Sequence, residues 1–364
     1  EYGLLLSGGL DSRMLAGYMV NQGSKVHALT LGRYPDIELE CASAVAKYLD
    51  IKHEHIEVPA KSYPDAADSL ARWEHLAAGF NGQIEWGQLT YMEHMPSHVM
   101  MGHMLDGAVG GLHVTWDYDA EKQDYTFERR MEHISQWGFS SDDLRQLMPD
   151  FSNEIDRVLA CYRKEYEGYS EQTFIRAQIA DLRNRQRYHV GSAAWATSFA
   201  SWPIVPSLDR KLLETAFSFP ASSLAERRAQ QGVAIRYFSE LSALPLDRNS
   251  YYSAPLKPRL RYHLEQYILD RLDRVTLKLG QRVRSSDKVF YERVYDINSP
   301  GWKSVRELAE PHRHVLYDLF NKEEVDRILP APGVRIDFVD SIKDSSKRKL
   351  LLGLSLIGRN HPFN

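Results

Sequence analysis

Six consecutive residues, Ser7-Gly8-Gly9-Leu10-Asp11-Ser12, carry the groups with the most chemical reach in this chain. The two glycines let the backbone come close to an anion, and Asp11 places a carboxylate where a phosphate-bound Mg2+ would sit. Ser7 and Ser12 add hydroxyl donors. Such a site needs free N–H groups aimed at the ligand, which the start of a helix provides. The flanks supply that setting. Tyr2-Gly3-Leu4-Leu5-Leu6 suits a strand buried on both faces, and Leu10, Met14, Leu15, Tyr18 and Met19 recur at helical spacing.

Neither common nucleotide loop is present, since GxGxxG and GxxxxGK[ST] are both missing. Ser-Gly-Gly-Leu-Asp-Ser between a strand and a helix instead resembles the pyrophosphate loop of the N-type ATP pyrophosphatases. That superfamily holds the asparagine synthetases, β-lactam synthetases, lasso-peptide cyclases and tRNA thiolation enzymes. The resemblance implies ATP cleaved between its α and β phosphates, with the loop holding the leaving pyrophosphate.

Further elements must carry this loop. Lys25–Gly32 reads as a second buried strand, residues 36–50 as a helix and His53–Val58 as a third strand. Residues 65–95 read as helical up to Pro96, and His98–Gly102 as a fourth short strand. Alternation of this kind predicts a doubly wound parallel α/β sheet, with ligands beyond the carboxyl ends of its strands. Ser7–Gly9 and Leu31-Gly32 both lie at that edge. From Thr115 the pattern turns helical, with a capping box at Ser140 and Asp143. The expected organisation is an ATP-binding α/β core over 1–114 and a mostly helical part over 115–364, together one synthetase domain.

The second informative stretch is Gly102-His103-Met104-Leu105-Asp106-Gly107-Ala108-Val109-Gly110-Gly111. Asparagine synthetases carry Ser-Gly-Glu-Gly-Ser-Asp-Glu and then Gly-Gly here, and Gly102, Asp106, Gly110 and Gly111 fall in register with it. The resemblance therefore assigns Mg2+ to Asp11 and Asp106. It assigns the nucleotide to Leu6, Ser7, Gly8, Gly9, Leu10, Asp11, Ser12, Leu31, Gly32 and Gly102, with adenine near Leu6 and Leu31. Two family glutamates are His103 and Gly107 in this chain. His103 could take over the base work of the first at a suitable pKa, and could equally be a spacer.

A third echo is Val205-Pro206-Ser207-Leu208-Asp209, where Asp209 reads as a helix N-cap, with Trp202 and Ile204 replacing a family glutamate and arginine. After Leu244-Pro245 the family places a lysine on the α-phosphate. This chain has none there. Lys257 is the nearest candidate and Arg248 the alternative cation.

Composition narrows the classes. A net charge of −4 over 364 residues gives no support for a nucleic-acid or membrane partner, and no apolar run approaches membrane-spanning length. Two cysteines, Cys41 and Cys161, read as thiols in a reducing cytoplasm. His94, His98, His103 and His113 lack metal-ligand spacing, and His53 and His55, a possible metal pair on one strand face, have no third ligand nearby. Glu1 directly precedes a core strand, so the chain reads as a fragment whose upstream part, a glutaminase domain in the family, is missing.

The expected function is an asparagine-synthase-like ligase, adenylating a small-molecule or peptide carboxylate and passing the acyl group to ammonia or an amine. Two rivals stand beside it: a catalytically silent nucleotide-binding scaffold, and another pyrophosphate-loop ligase such as a tRNA-modifying enzyme. Missing CxxC pairs and the Asp106 loop speak against the latter.

Overall fold

A computed structural model describes residues 1–74, 76, 79–109, 125–247, 253–257, 260–277, 288–338 and 342–360. Gly110, Gly111, His113 and Arg248 lie outside the described residues.

The opening of the chain alternates as its hydrophobic pattern requires. Strand β1 (Tyr2–Leu5) leads into helix α1 (Leu10–Asn21), β2 (Val26–Leu31) into α2 (Ile37–Leu49), and β3 (Lys52–Ile56) into α3 (Tyr63–Trp73). After two short helices the chain returns as β4 (His98–Met100). The sheet is parallel throughout, in the order β3-β2-β1-β4 with a fifth strand beyond β4, and Gly3 lies opposite both His27 and Val99. β1 thus sits where the winding reverses, and the loops after β1 and β4 open into one crevice at the carboxyl edge.

The fifth strand departs from the expected organisation. β5 (Trp202–Ile204) comes from the stretch read as helical, so residues 115–364 complete the sheet as well as covering it. A two-stranded antiparallel pair, Leu246–Asp247 with Ser253–Ala254, adds to this departure. The run read as one helix over 65–95 also breaks, at Trp73, before Gln83–Gly87 and Leu89–Met92.

Two of the hydrophobic clusters among the described residues show how the layers are held. Leu4, Leu6, Ala16, Ala28 and Val45 pack between the sheet and α1 and α2, and Phe238 and Leu241 close that core from far along the chain. Gly17 makes room for this, since a Cβ there would come within 2.7 Å of the Phe238 ring. The second core sets α3 against the C-terminal helices through Tyr63, Phe80, Trp302, Leu351 and Leu352. Its buried Lys349 lies over the rings of Tyr295 and Trp302, at 4.9 and 4.6 Å, a cation–π arrangement inside an apolar layer.

Candidate active site

The loop after β1 is closed by its own serines. Ser12 Oγ accepts from Ser7 N at 3.0 Å and lies 2.9 Å from Ser7 Oγ, which in turn accepts from Gly9 N at 3.2 Å. Ser12 is buried, and its hydroxyl shapes the loop. No side chain caps α1, whose first N–H groups follow Gly9. Gly8 is required by crowding: a Cβ there would meet Asp247 Cβ, Cys41 Cβ and Glu38 O, each at 2.9 Å.

The loop is anchored by a buried arginine. Arg13 donates to the carbonyls of Leu241 at 2.9 Å and Leu244 at 3.1 Å, to that of Pro245, and to that of Gly8 at 3.4 Å. Asp247 N adds a bond to Gly8 O at 3.0 Å. A charge this deep is tolerated because carbonyl oxygens surround it.

The second loop comes down on the first. Gly102 lies so close that a Cβ would be 3.1 Å from both Asp11 Cβ and Ser12 N. Asp106 follows in the first turn of the short helix Leu105–Val109, with its Oδ1 accepting from Gly107 N at 2.8 Å. The two carboxylates sense each other: burial pushes the Asp11 carboxyl up, and the negative charge of Asp106 pushes it the same way.

What pulls it down is Arg227, a residue the sequence did not single out. Arg227 Nη2 donates to both Asp11 oxygens at 2.5 Å, Gln230 Nε2 donates to Oδ1 as well, and Arg227 Nε holds Gln230 Oε1 at 2.9 Å. Glu226 and Arg227 both have left-handed backbones, φ 55° and 62°, in residues without glycine's freedom. Such conformations cost on the order of 1–3 kcal/mol each, so packing around the helix Arg228–Tyr237 must hold them.

His103 sits beside Asp106. Burial holds its imidazole below the usual range although Asp106 opposes the shift, its buried Nδ1 has no hydrogen-bond partner, and its carbonyl accepts from Ser207 Oγ at 2.7 Å. A neutral ring with an open nitrogen has the form a general base needs. Gly107, where the family has its second glutamate, faces Gln186. A Cβ at 107 would be 2.9 Å from Gln186 Cδ and Nε2. Gln186 belongs to a π-helical stretch, Leu182–Val190, and donates to Asp181 Oδ2 at 2.9 Å.

Other candidates fall less simply. Leu6 N already donates to Leu29 O at 2.9 Å and Leu6 O accepts from Thr30 Oγ1 at 2.6 Å, leaving one carbonyl lone pair for a base. Gly32 has φ 152° and lies against Asp36, which accepts from Arg33 N at 2.8 Å and from Arg293 at 2.6 Å. Leu10 packs with Met14, Leu246 and Leu256. Leu256 thereby seats the backbone of Lys257 beside the loop, while the Lys257 side chain is exposed. Asp209 caps its helix through Leu212 N at 3.0 Å, as its position implied.

The crevice carries more acid than the sequence suggested. Burial raises the Glu38 carboxyl to about 8, with Asp247 and Asp36 adding repulsion, and its buried Oε2 is unpartnered although the residue keeps some surface. Burial likewise lifts Glu85 to about 7. The Tyr291 hydroxyl is raised chiefly by Glu38, then by burial, Asp247, Glu85 and Asp106, which places one C-terminal side chain in the field of all four. Glu38 was findable as an acid in the first turn after the second strand. Tyr291 offered no signal.

A parallel sheet with a glycine loop at its switch point and acids around it places the candidate site where open α/β sheets bind their ligands. A sequence model of the asparagine synthase family matches residues 1–241, and the chain belongs to that family of ATP-dependent amidating ligases. A search of curated proteins returns no match. Among the described residues no helix is long and apolar enough to cross a membrane.

Proposed function

We propose that this chain activates a carboxylate as an acyl-adenylate and transfers the acyl group to ammonia or an amine. The observation that carries the reading is the seating of Gly102 against Asp11, which brings both carboxylate-bearing loops to the mouth of one crevice. Among the described residues no three His, Cys, Asp or Glu side chains converge as a metal cage. The oxygen-only pair Asp11 and Asp106 nevertheless suits Mg2+, which takes one or two protein carboxylates and completes its shell with phosphates and water. Bound there, the ion would neutralise charge on the departing pyrophosphate.

The substrate carboxylate attacks the α-phosphorus of ATP, and the bond to the β-phosphate oxygen breaks. The free N–H groups after Gly9 receive the pyrophosphate. Lys257, carried beside the loop by Leu256, supplies the cation for the α-phosphate and for the later oxyanion. The amine then attacks the acyl carbonyl, His103 accepts its proton, and AMP leaves. Substrates are small-molecule or peptide carboxylates with ammonia or an amine. No nucleic acid or membrane takes part, an upstream glutaminase would supply ammonia in a longer chain, and two free cysteines suit the cytoplasm.

The contact of Arg227 with Asp11 favours one second reading, a nucleotide-binding scaffold that no longer turns over. ATP–pyrophosphate exchange across a panel of carboxylic acids separates the two. Carboxylate-dependent exchange supports the ligase, and ATP binding without exchange for any acid supports the scaffold.

A further inference from the structure

The turn that ends β2 is folded around one carboxylate. Asp36 is fully buried, its Oδ2 accepts from Arg33 N at 2.8 Å, and its own N–H donates to Arg33 O at 2.7 Å. Gly32 is pressed against the same oxygen, since a Cβ there would lie 2.9 Å from Asp36 Oδ2. A carboxylate this deep needs a charged partner. Arg33 does not serve, because its side chain turns to Glu57 at 3.5 Å. The charge comes from far along the chain. Arg293 Nη2 donates to Asp36 Oδ2 at 2.6 Å, its Nε to Oδ1 at 3.3 Å, and its Nη1 to Glu57 Oε1 at 2.6 Å. One guanidinium therefore joins the carboxyl ends of β2 and β3. Arg293 is itself held fast, in the short helix Phe290–Val294, whose Phe290 and Val294 are buried in the core that sets α3 against the C-terminal helices. The Val294 carbonyl accepts from Trp302 Nε1 at 3.1 Å and from the Tyr63 hydroxyl at 3.4 Å.

On the ATP-dependent reading above, on which this inference rests, the nucleotide lies at that edge of the sheet. Its phosphates occupy the N–H groups after Gly9, and Gly102 packs on Asp11 at the β4 side of the crevice. The β2 side is left for the nucleoside, which there meets the turn from Gly32 to Asp36. We infer that Arg293 is a positioning residue for the nucleoside half of ATP, acting through Asp36 to fix the backbone of that turn. It touches no reacting atom. A planar fork suits the task, because it meets both oxygens of Asp36 and still reaches Glu57. Arg293 also lies outside residues 1–241, the stretch that matches the asparagine synthase model, so the nucleoside side of the crevice is set by a part of the chain beyond the family match.

The test compares binding of Mg·ATP, adenosine and inorganic pyrophosphate to the whole chain and to Arg293→Gln and Arg293→Lys, by calorimetry, with a melting curve for each protein. Arg293→Gln should weaken Mg·ATP and adenosine by the same factor, about tenfold, and leave pyrophosphate within about twofold. Arg293→Lys keeps the charge without the fork and should recover part of the loss. Unchanged adenosine affinity in folded Arg293→Gln overturns the inference and leaves the ligase reading standing. So does an equal loss for pyrophosphate, which marks a site damaged as a whole. If Arg293→Gln does not fold, the comparison is read on Arg293→Lys: weaker adenosine with unchanged pyrophosphate supports the inference, and unchanged adenosine overturns it. An unaltered chain that binds neither ATP nor adenosine overturns the ligase reading, and this inference with it.

Discussion

Gln186 stands in the space that a side chain at position 107 would need, its Cδ and Nε2 both 2.9 Å from where the Gly107 Cβ would be. The family's glutamate has been exchanged for a glutamine reaching in from a π-helical stretch, a type of insertion that recurs at functional sites. Gly107→Ala should therefore cost about 1–3 kcal/mol by overpacking. Combined with Gln186→Ala, the cost should fall short of the sum by on the order of 1 kcal/mol. Urea unfolding of the four proteins of that cycle measures it, and strict additivity would show that the two side chains do not compete.

Asp11→Asn and Asp106→Asn should each abolish carboxylate-dependent pyrophosphate release. Their melting temperatures should stay close to that of the unaltered chain, because the Asp11–Arg227 pair is partly exposed and each change relieves repulsion between the two acids. A large drop in melting temperature for both would make them structural residues.

Lys257→Ala should slow turnover by about 10²–10³-fold, the usual loss on removing one charge-stabilising donor, while ATP binding is unchanged. Normal turnover would remove Lys257 from the mechanism.

The pH dependence of stability has a definite sign. Glu38 is held at about 8 in the fold against an ordinary value of 4.5. Below pH 4.5 it is protonated folded and unfolded, so its burial carries no ionisation cost. Between 4.5 and 8 the unfolded chain releases the proton and the folded chain retains it, so stability falls as pH rises, levelling off above 8. Glu85, raised to about 7, acts in the same direction. Glu38→Gln should flatten this slope and raise the melting temperature at pH 8 by about 2–5 °C. An unchanged slope between pH 5 and 8 would show that Glu38 ionises freely in the fold.

Glutamine should be ignored as a nitrogen source by this chain alone. Cys41 is buried, with its thiol pushed up to about 11 by burial and by Asp247, the opposite of what a nucleophile needs. Cys161 is exposed on a surface helix. Glutamate appearing from glutamine in the presence of the isolated chain would refute this.

Residues that act through local sequence were legible. The β1–loop–α1 unit, the Ser140–Asp143 capping box and the Asp209 cap are all contained in a few neighbouring positions. β5 was not, because three residues with a proline at the centre, on an edge strand, carry no strand period. Nor was Arg227, which meets Asp11 across 216 positions through two left-handed residues that no glycine announces. Gln186 escaped for a related reason: a π-helical register shifts which residues share a face, so the 3.6-residue period does not point to it.

The Arg13 clamp bears on where this protein can be cut. The stretch recognisable as asparagine synthase ends at residue 241, yet the Arg13 guanidinium donates to the carbonyls of Leu241, Leu244 and Pro245. A polypeptide stopped at the recognisable border would lose two of those acceptors, the Asp247 bond to Gly8, and the Leu246 and Leu256 packing on Leu10. Similarity and autonomy thus have different borders here. A recombinant piece intended to keep its phosphate loop intact has to run past residue 257.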